Sequence, residues 1–222
     1  MSSNRRSPVE AVLFDNDGVL VDTESLYMEA ARITFAEIGV DLTLETYQEV
    51  SLRQGNSVID LALDHGYTAE QVVELRGKRD RRYAEFLEQG VTVIPGARET
   101  VQRLRDEGKR LAIVTTCPGR HFEIQHRNTG LLDLFEFVLV REDYPRSKPY
   151  PDPYATAVKR MGIDADRCVA IEDTQRGVDA ANAAGVKCFA CRSEMTRGTQ
   201  FTDAIEVLGS VAELPDAISR ID

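Results

Sequence analysis

Short apolar runs recur along the chain, and each ends in polar chemistry. Ala11–Phe14 runs straight into Asp15, and Leu111–Val114 into Thr115 and Thr116. Phe137–Val140 leads into Arg141, Glu142 and Asp143, and Cys168–Ile171 into Glu172 and Asp173. Continuous apolar runs of about four residues predict strands buried on both faces, as in parallel sheets. Between them lie helical patterns over Ala97–Glu107, Tyr154–Met161 and Val178–Ala184, followed at once by Gly108, Gly162 and Gly185. Glycine suits a helix C-terminus because it tolerates the left-handed conformation there. Ala204–Leu208 reads as a last strand, with a last helix from Val211. The alternation predicts an α/β fold, a doubly wound, Rossmann-like parallel core sheet. Ligands of such sheets bind at the carboxyl ends of the strands. Asp15, Thr115 and Glu172–Asp173 are therefore expected to converge.

One stretch breaks this rhythm. From about Thr23 to Thr92 only helical patterns appear, too long for an ordinary crossover between strands. Tyr27, Ala31, Phe35 and Ile38 share one helical face, which Gly39 stops. Asn56 is placed to cap a short helix ending near Gly66. Thr68 and Gln71 fit a capping box, in which each side chain satisfies an amide at the other's end of the turn. The helix they start runs to about Gln89. Residues 23–92 are read as an all-helical cap inserted into a core made of 1–22 and 93–222.

Composition narrows the partners. The 27 basic and 37 acidic residues give a net charge of −10, which disfavours nucleic acid and anionic membranes. A phosphate can still be held by a local device: a metal, a Lys or Arg, or backbone donors. No apolar run approaches the roughly 20 residues of a bilayer span. The opening MSSNRRSP shows no apolar signal region, so a cytoplasmic protein is expected. Cys188 and Cys191 form a CxxC on a strand-like stretch, but no second CxxC or nearby His completes a redox or zinc site. They read as buried thiols in a reducing compartment. No feature of the sequence sets an oligomeric state.

The chemistry starts at Phe14-Asp15-Asn16-Asp17-Gly18. By itself Asp-x-Asp-Gly is a turn sequence. At the end of a buried strand, two carboxylates two residues apart can divide a phosphoryl transfer between them. One attacks phosphorus, splitting a hard step into two; the other gives a proton to the leaving alkoxide and later takes one from water. A carboxylate nears a phosphate dianion only if charge is neutralised, which suits a hard, oxygen-preferring ion such as Mg²⁺. Glu172 and Asp173 can supply further ligands, Thr115 a hydrogen bond to a phosphoryl oxygen, and Lys148 a compensating charge. Lys148 lies in Ser147-Lys148-Pro149-Tyr150-Pro151-Asp152-Pro153, whose prolines stiffen the loop.

These segments resemble the ordered signatures of the haloacid dehalogenase-like superfamily, in the branch with a helical cap after the first motif. They are FDNDGVLVD at Phe14–Asp22, VTTC at Val114–Cys117, SKPYPDP at Ser147–Pro153 and AIEDTQRG at Ala170–Gly177. The resemblance implies that Asp15 is the nucleophile and Asp17 the acid/base. It implies that Thr115 and Lys148 hold the phosphate. It also implies a Mg²⁺ site formed by Asp15, the Asp17 carbonyl, Asp173 and Glu172. Members that displace halide lack the second motif Asp, so Asp17 favours phosphoryl chemistry. Lys78, the only cap lysine, lies in a basic run and reads as solvent-exposed rather than as a Schiff-base group.

Within that branch the sequence is similar to β-phosphoglucomutases and sugar phosphatases. Such mutases carry a His just after the hinge where this chain has Tyr27, which favours a phosphatase acting on a small phosphorylated metabolite, a sugar or polyol phosphate. The alternatives are a sugar phosphomutase and, from another class, a receiver-like phosphoaspartate binding module. Specificity resides in cap side chains. Val72, Leu75, Tyr83 and Phe86 form a stripe with Arg79 near its centre. An Arg on an apolar face needs a partner, either a substrate anion or a cap carboxylate. Arg53, near the usual specificity loop, is either a second substrate contact or a solvated charge, and Thr116 is a third candidate. His121 and His126 are spaced poorly for one metal and are assigned no chemistry.

Overall fold

A computed structural model describes residues 8–222; the polar N-terminal stretch discussed above lies outside them up to residue 7. Eight strands appear in chain order: β1 (Ala11–Phe14), β2 (Val21–Asp22), β3 (Thr92–Val93), β4 (Arg110–Val114), β5 (Phe137–Leu139), β6 (Cys168–Glu172), β7 (Lys187–Cys191) and β8 (Val207–Leu208). The helices are α1 (Glu24–Ala36), α2 (Leu44–Tyr47), α3 (Ala69–Glu88), α4 (Ala97–Asp106), α5 (Gly119–His126), α6 (Asp152–Met161), α7 (Gln175–Ala183) and α8 (Leu214–Ser219).

Six strands form one parallel sheet in the order β5-β4-β1-β6-β7-β8. The expected core sheet is thus present, and β1 lies at its switch point, between β4 and β6. Alternate residues of β1 face opposite cores. Val12 and Phe14 pack with Ala97, Val101 and Leu104 of α4 and Leu214 and Ile218 of α8. Ala11 and Leu13 pack with Tyr154 and Ala157 of α6 and Val178 and Ala181 of α7. Both faces of β1 are fully buried, which is why its sequence runs apolar without alternation.

Between β2 and β3 the chain is helical. α1 packs on α3, and Ala31, Phe35, Tyr47, Ile59, Val72 and Leu75 form a separate core. The capping box is present: the Gln71 amide donates to Thr68 Oγ1 at 3.3 Å, and the Thr68 amide to Gln71 Oε1 at 2.8 Å. The expected cap at Asn56 is not formed. The turn of 3₁₀ helix over Val58–His65 starts after Ser57, and Asn56 instead donates to Gln54 Oε1 at 3.3 Å. Leu87 joins the α3 stripe as a fully buried residue, and Phe86 is partly buried and packs beside it and Tyr83. Two features carried no pattern to read. One is the two-stranded β2–β3 antiparallel pair at the base of the helical segment. The other is a π-helical stretch over Gln48–Arg53, a geometry frequent at functional sites.

Candidate active site

The sheet register builds the site. Phe14 is level with Ile113 of β4 and Ile171 of β6, so the residues that follow emerge side by side. The Asp15 amide extends the ladder to the Ile171 carbonyl at 3.0 Å, and the Thr115 amide reaches the Leu139 carbonyl at 3.0 Å. After Asp15 the chain must turn sharply. Gly18 has φ +79°, and a Cβ there would come within 2.0 Å of Asp173 Oδ2. Glycine is required at that position twice over, by backbone angle and by space.

Asp15 and Asp17 have different surroundings. Lys148 Nζ donates to Asp15 Oδ1 at 2.7 Å and to the Val114 carbonyl at 2.8 Å, and pairs with Glu172 Oε1 at 2.6 Å. All three side chains are buried. Asp15 Oδ2 accepts no hydrogen bond among the described residues, leaving it free to attack. Burial, and then the Glu172 charge, push the Asp15 carboxyl up to about 7 despite Lys148. Burial opposes the Lys148 charge, but Asp15 and Glu172 outweigh it and hold the ammonium above its ordinary range. Among the described residues Asp17 makes no hydrogen bond or ion pair with Lys148. Its Oδ2 accepts from Thr115 Oγ1 at 3.2 Å, and its Oδ1 from Gln125 Nε2 at 2.9 Å and from Thr23 Oγ1. Thr23 stands at the start of α1 and gives its hydroxyl to Asp17 rather than to a helix cap.

One oxygen of each of Asp15, Glu172 and Asp173 lies within 4.8 Å of the others. Three buried carboxylates against one ammonium are short of positive charge. Burial, and next the Asp15 charge, hold the Asp173 carboxyl well above the usual range. Asp173 Oδ2 is buried with no hydrogen-bond partner among the described residues. Glu172 differs, since its Oε1 is already shared by Lys148 and by Tyr154 Oη at 2.5 Å. An orphaned carboxylate oxygen among hard oxygen donors fits a divalent cation, with Asp15 and Asp173 the freest ligands. Replacing Gly18 by Ala should therefore weaken the Mg²⁺-induced rise in melting temperature at least tenfold in half-saturating concentration. It should also destabilise the fold by about 1–2 kcal/mol from the left-handed backbone alone. A Mg²⁺ titration followed by thermal unfolding checks both.

Above these groups, between the strand ends and the helical segment that joins β2 to β3, opens a cleft of about 370 Å³, lined on one side by Asp17, Thr116, His121, Arg141, Ser147 and Arg176. Glu24, Tyr27, Tyr47, Ser51, Ser57 and Tyr83 line the other. Thr116 thus lies at the cleft. Arg53 does not line it: its side chain is exposed and pairs with Glu49 at 2.9 Å. Arg79 is buried, with Nε on Asp80 at 2.9 Å and its guanidinium 4.2 Å from the Tyr27 ring. Its Nη1 has no hydrogen-bond partner among the described residues. Lys78 is exposed and faces Glu37 at 3.4 Å. The four cysteines are free and buried, and burial pushes the Cys191 thiol up to about 12.

The model of the haloacid dehalogenase-like hydrolases matches residues 12–191. The chain belongs to that family. It is 31% identical over 207 residues to Protein CbbY of Rhodobacter capsulatus, covering 88% of this chain and 91% of that one. It is 30% identical over 183 residues to a phosphorylated carbohydrates phosphatase of Thermotoga maritima, covering 81% and 83%. Its fold superposes with a TM-score of 0.79 on the crystal structure of a CbbY mutant from Rhodobacter sphaeroides in complex with xylulose-(1,5)bisphosphate, at 29% identity and 93% and 96% coverage. As a member of this family the chain is a hydrolase, and the resemblance read from the four motifs is established. Among the described residues no helix is long and apolar enough to cross a membrane.

Several residues at the site escaped the sequence reading. Thr23, Glu24, Gln125 and Arg176 each touch the site or its cleft, and none belongs to a strand-end pattern. Glu24 accepts from Tyr47 Oη at 2.6 Å, and burial raises its carboxyl. His126, assigned no chemistry, bonds Asn16 Oδ1 at 2.7 Å beneath the Asp15–Asp17 loop.

Proposed function

We propose that this hydrolase is a Mg²⁺-dependent phosphatase of small phosphorylated metabolites, sugar or polyol phosphates, working through a phosphoryl group on Asp15. The observation that carries the reading is the contrast between neighbouring carboxylates. Asp15 is ion-paired at one oxygen and free at the other, while Asp17 is held apart from that pair by hydroxyl and amide donors. Asp15 Oδ2 attacks phosphorus, an O–P bond forms, and the bond to the leaving alcohol oxygen breaks as Asp17 protonates that oxygen. Water then attacks the phosphoryl group, gives its proton to Asp17, and releases phosphate and the Asp15 carboxylate. Lys148 compensates charge on Asp15 throughout, and Thr115 is placed to hold a phosphoryl oxygen. Asp15 and Asp173, with Glu172 behind them and the Asp17 carbonyl, would hold Mg²⁺, which when bound neutralises charge between nucleophile and phosphate.

Hydrolysis is favoured over phosphoryl return to a sugar by Tyr27. Burial pushes its phenol up to about 12, so it exchanges no proton near neutrality. The relatives that act on phosphorylated carbohydrates support the substrate class. Four buried free thiols suit a reducing cytoplasm. Phosphate release should be screened with sugar phosphates, sugar bisphosphates, hexitol phosphates, phosphoglycolate and nucleotides. Release from at least one sugar or polyol ester is expected, with loss of more than about 95% of the rate in excess chelator and recovery with Mg²⁺. Metal-independent release, or interconversion of glucose 1- and 6-phosphates without phosphate release, would overturn the reading.

A further inference from the structure

Behind Asp17 lies a buried amide network that the reaction scheme does not use. Gln125, on α5, is 2% exposed. Its Nε2 lies 2.9 Å from Asp17 Oδ1 and 3.0 Å from Tyr83 Oη, and its Oε1 lies 2.7 Å from Asn16 Nδ2. Asn16 Nδ2 reaches Asp17 Oδ2 at 3.3 Å, and Asn16 Oδ1 lies 2.7 Å from His126 Nε2. His126 Nδ1 in turn meets Thr129 Oγ1 at 3.0 Å.

The direction of each bond follows from chemistry. A carboxylate only accepts, so both amide groups turn their NH₂ ends towards Asp17. Asn16 then presents its carbonyl oxygen to His126, which must donate from Nε2. Burial pushes the imidazole down to about 4, so a neutral ring with the proton on Nε2 and Nδ1 accepting from Thr129 satisfies every partner. Gln125 gives its second N–H to Tyr83 Oη, which accepts, leaving the phenolic hydrogen for the cleft that Tyr83 lines. Tyr83 belongs to α3 of the helical cap, and Asp17 to the core. Among the described residues, Gln125 is thus the single side chain that bonds both the proton-transferring carboxylate and α3 over it.

We infer that Gln125 is a positioning residue that aims Asp17 at the leaving oxygen and, through Tyr83, ties that aim to the seating of the cap. The inference rests on the phosphatase reading and goes beyond it. It makes proton delivery, rather than nucleophilic attack, the step that senses the cap. Gln125 itself transfers no proton and acts only through Asp17.

Leaving-group dependence separates this role from a structural one. An alkyl alcohol leaves only with a proton, whereas p-nitrophenolate leaves without one, and kcat/KM reports only the steps up to the first departure. In Gln125→Met, kcat/KM for the best sugar or polyol phosphate is expected to fall about 10- to 100-fold, and for p-nitrophenyl phosphate less than about threefold. Tyr83→Phe removes only the cap-side acceptor. It should show the same selectivity at about three- to tenfold, and it carries the test alone if Gln125→Met does not fold. Equal losses on both esters, or no loss on either, would overturn the inference while phosphatase activity in the parent protein stands. A parent protein that hydrolyses neither ester would instead overturn the phosphatase reading, and this inference with it.

Discussion

Replacing Asp15 by Asn should lower phosphate release by a factor of about 10⁴ or more, to the background of the assay. The substitution keeps shape and the Lys148 contact but removes the nucleophilic electron pair on Oδ2. The same variant carries a stability signature. The Asp15 carboxyl is raised from 3.8 to about 7, so its contribution to stability is fully present below pH 3.8 and is lost as pH rises towards 7. At pH 8 the buried charge is therefore a cost to the metal-free protein, and Asn removes it. In chelator, Asp15→Asn should melt higher than the parent at pH 8, with the gap closing by pH 5. Rapid-quench phosphate assays and calorimetry at the two pH values decide the matter. Undiminished turnover would remove Asp15 from the reaction, and a lower melting temperature at pH 8 would mean that the Lys148 pair outweighs burial.

How far the sequence leads depends on where the information is stored. Strand ends are local: four hydrophobic residues followed by Asp15, Thr115 or Glu172 reveal both a buried strand and the chemistry at its tip. The sheet then brings those tips together by register, which is why Asp15, Glu172 and Asp173 gather while far apart in the chain. Lys148 was legible only through its proline-stiffened motif. The cap residues are a different matter. Arg79 and Phe86 occupy the same helical stripe, yet the first is buried against Tyr27 and the second is only partly buried, beside Leu87. Of the two readings of Arg53, a substrate contact near the specificity loop or a solvated charge, the second holds. The irregular turn over Gln48–Arg53 puts Leu52 at the cleft and Arg53 on Glu49. Gln125 and His126 show the opposite failure. A polar residue on a helix reads as surface until the tertiary fold places that face against the Asp15–Asp17 loop.

Lys148→Met should be the most destabilising substitution at the site, by about 3–5 kcal/mol at pH 8 in chelator, with phosphate release reduced at least about 10³-fold. Among the described residues Lys148 is the one cation paired with Asp15 and Glu172, and its side chain is 2% exposed. Methionine fills its volume but leaves two buried carboxylates facing each other, with the Val114 carbonyl short of a donor. The loss is pH-dependent in a fixed direction. Without the ammonium, burial and the Glu172 charge push the Asp15 carboxyl further up, so stability is retained in acid, where it is protonated, and lost as pH rises. The penalty at pH 5 should be clearly smaller than at pH 8. Glu172→Gln in the Lys148→Met background should recover part of the stability but none of the activity, because it removes the repulsion without restoring charge against phosphate. Urea unfolding of the parent, Lys148→Met and the double variant at both pH values measures the effect. A penalty below about 1 kcal/mol, or one independent of pH, would show that the charge of Asp15 is balanced by something other than Lys148.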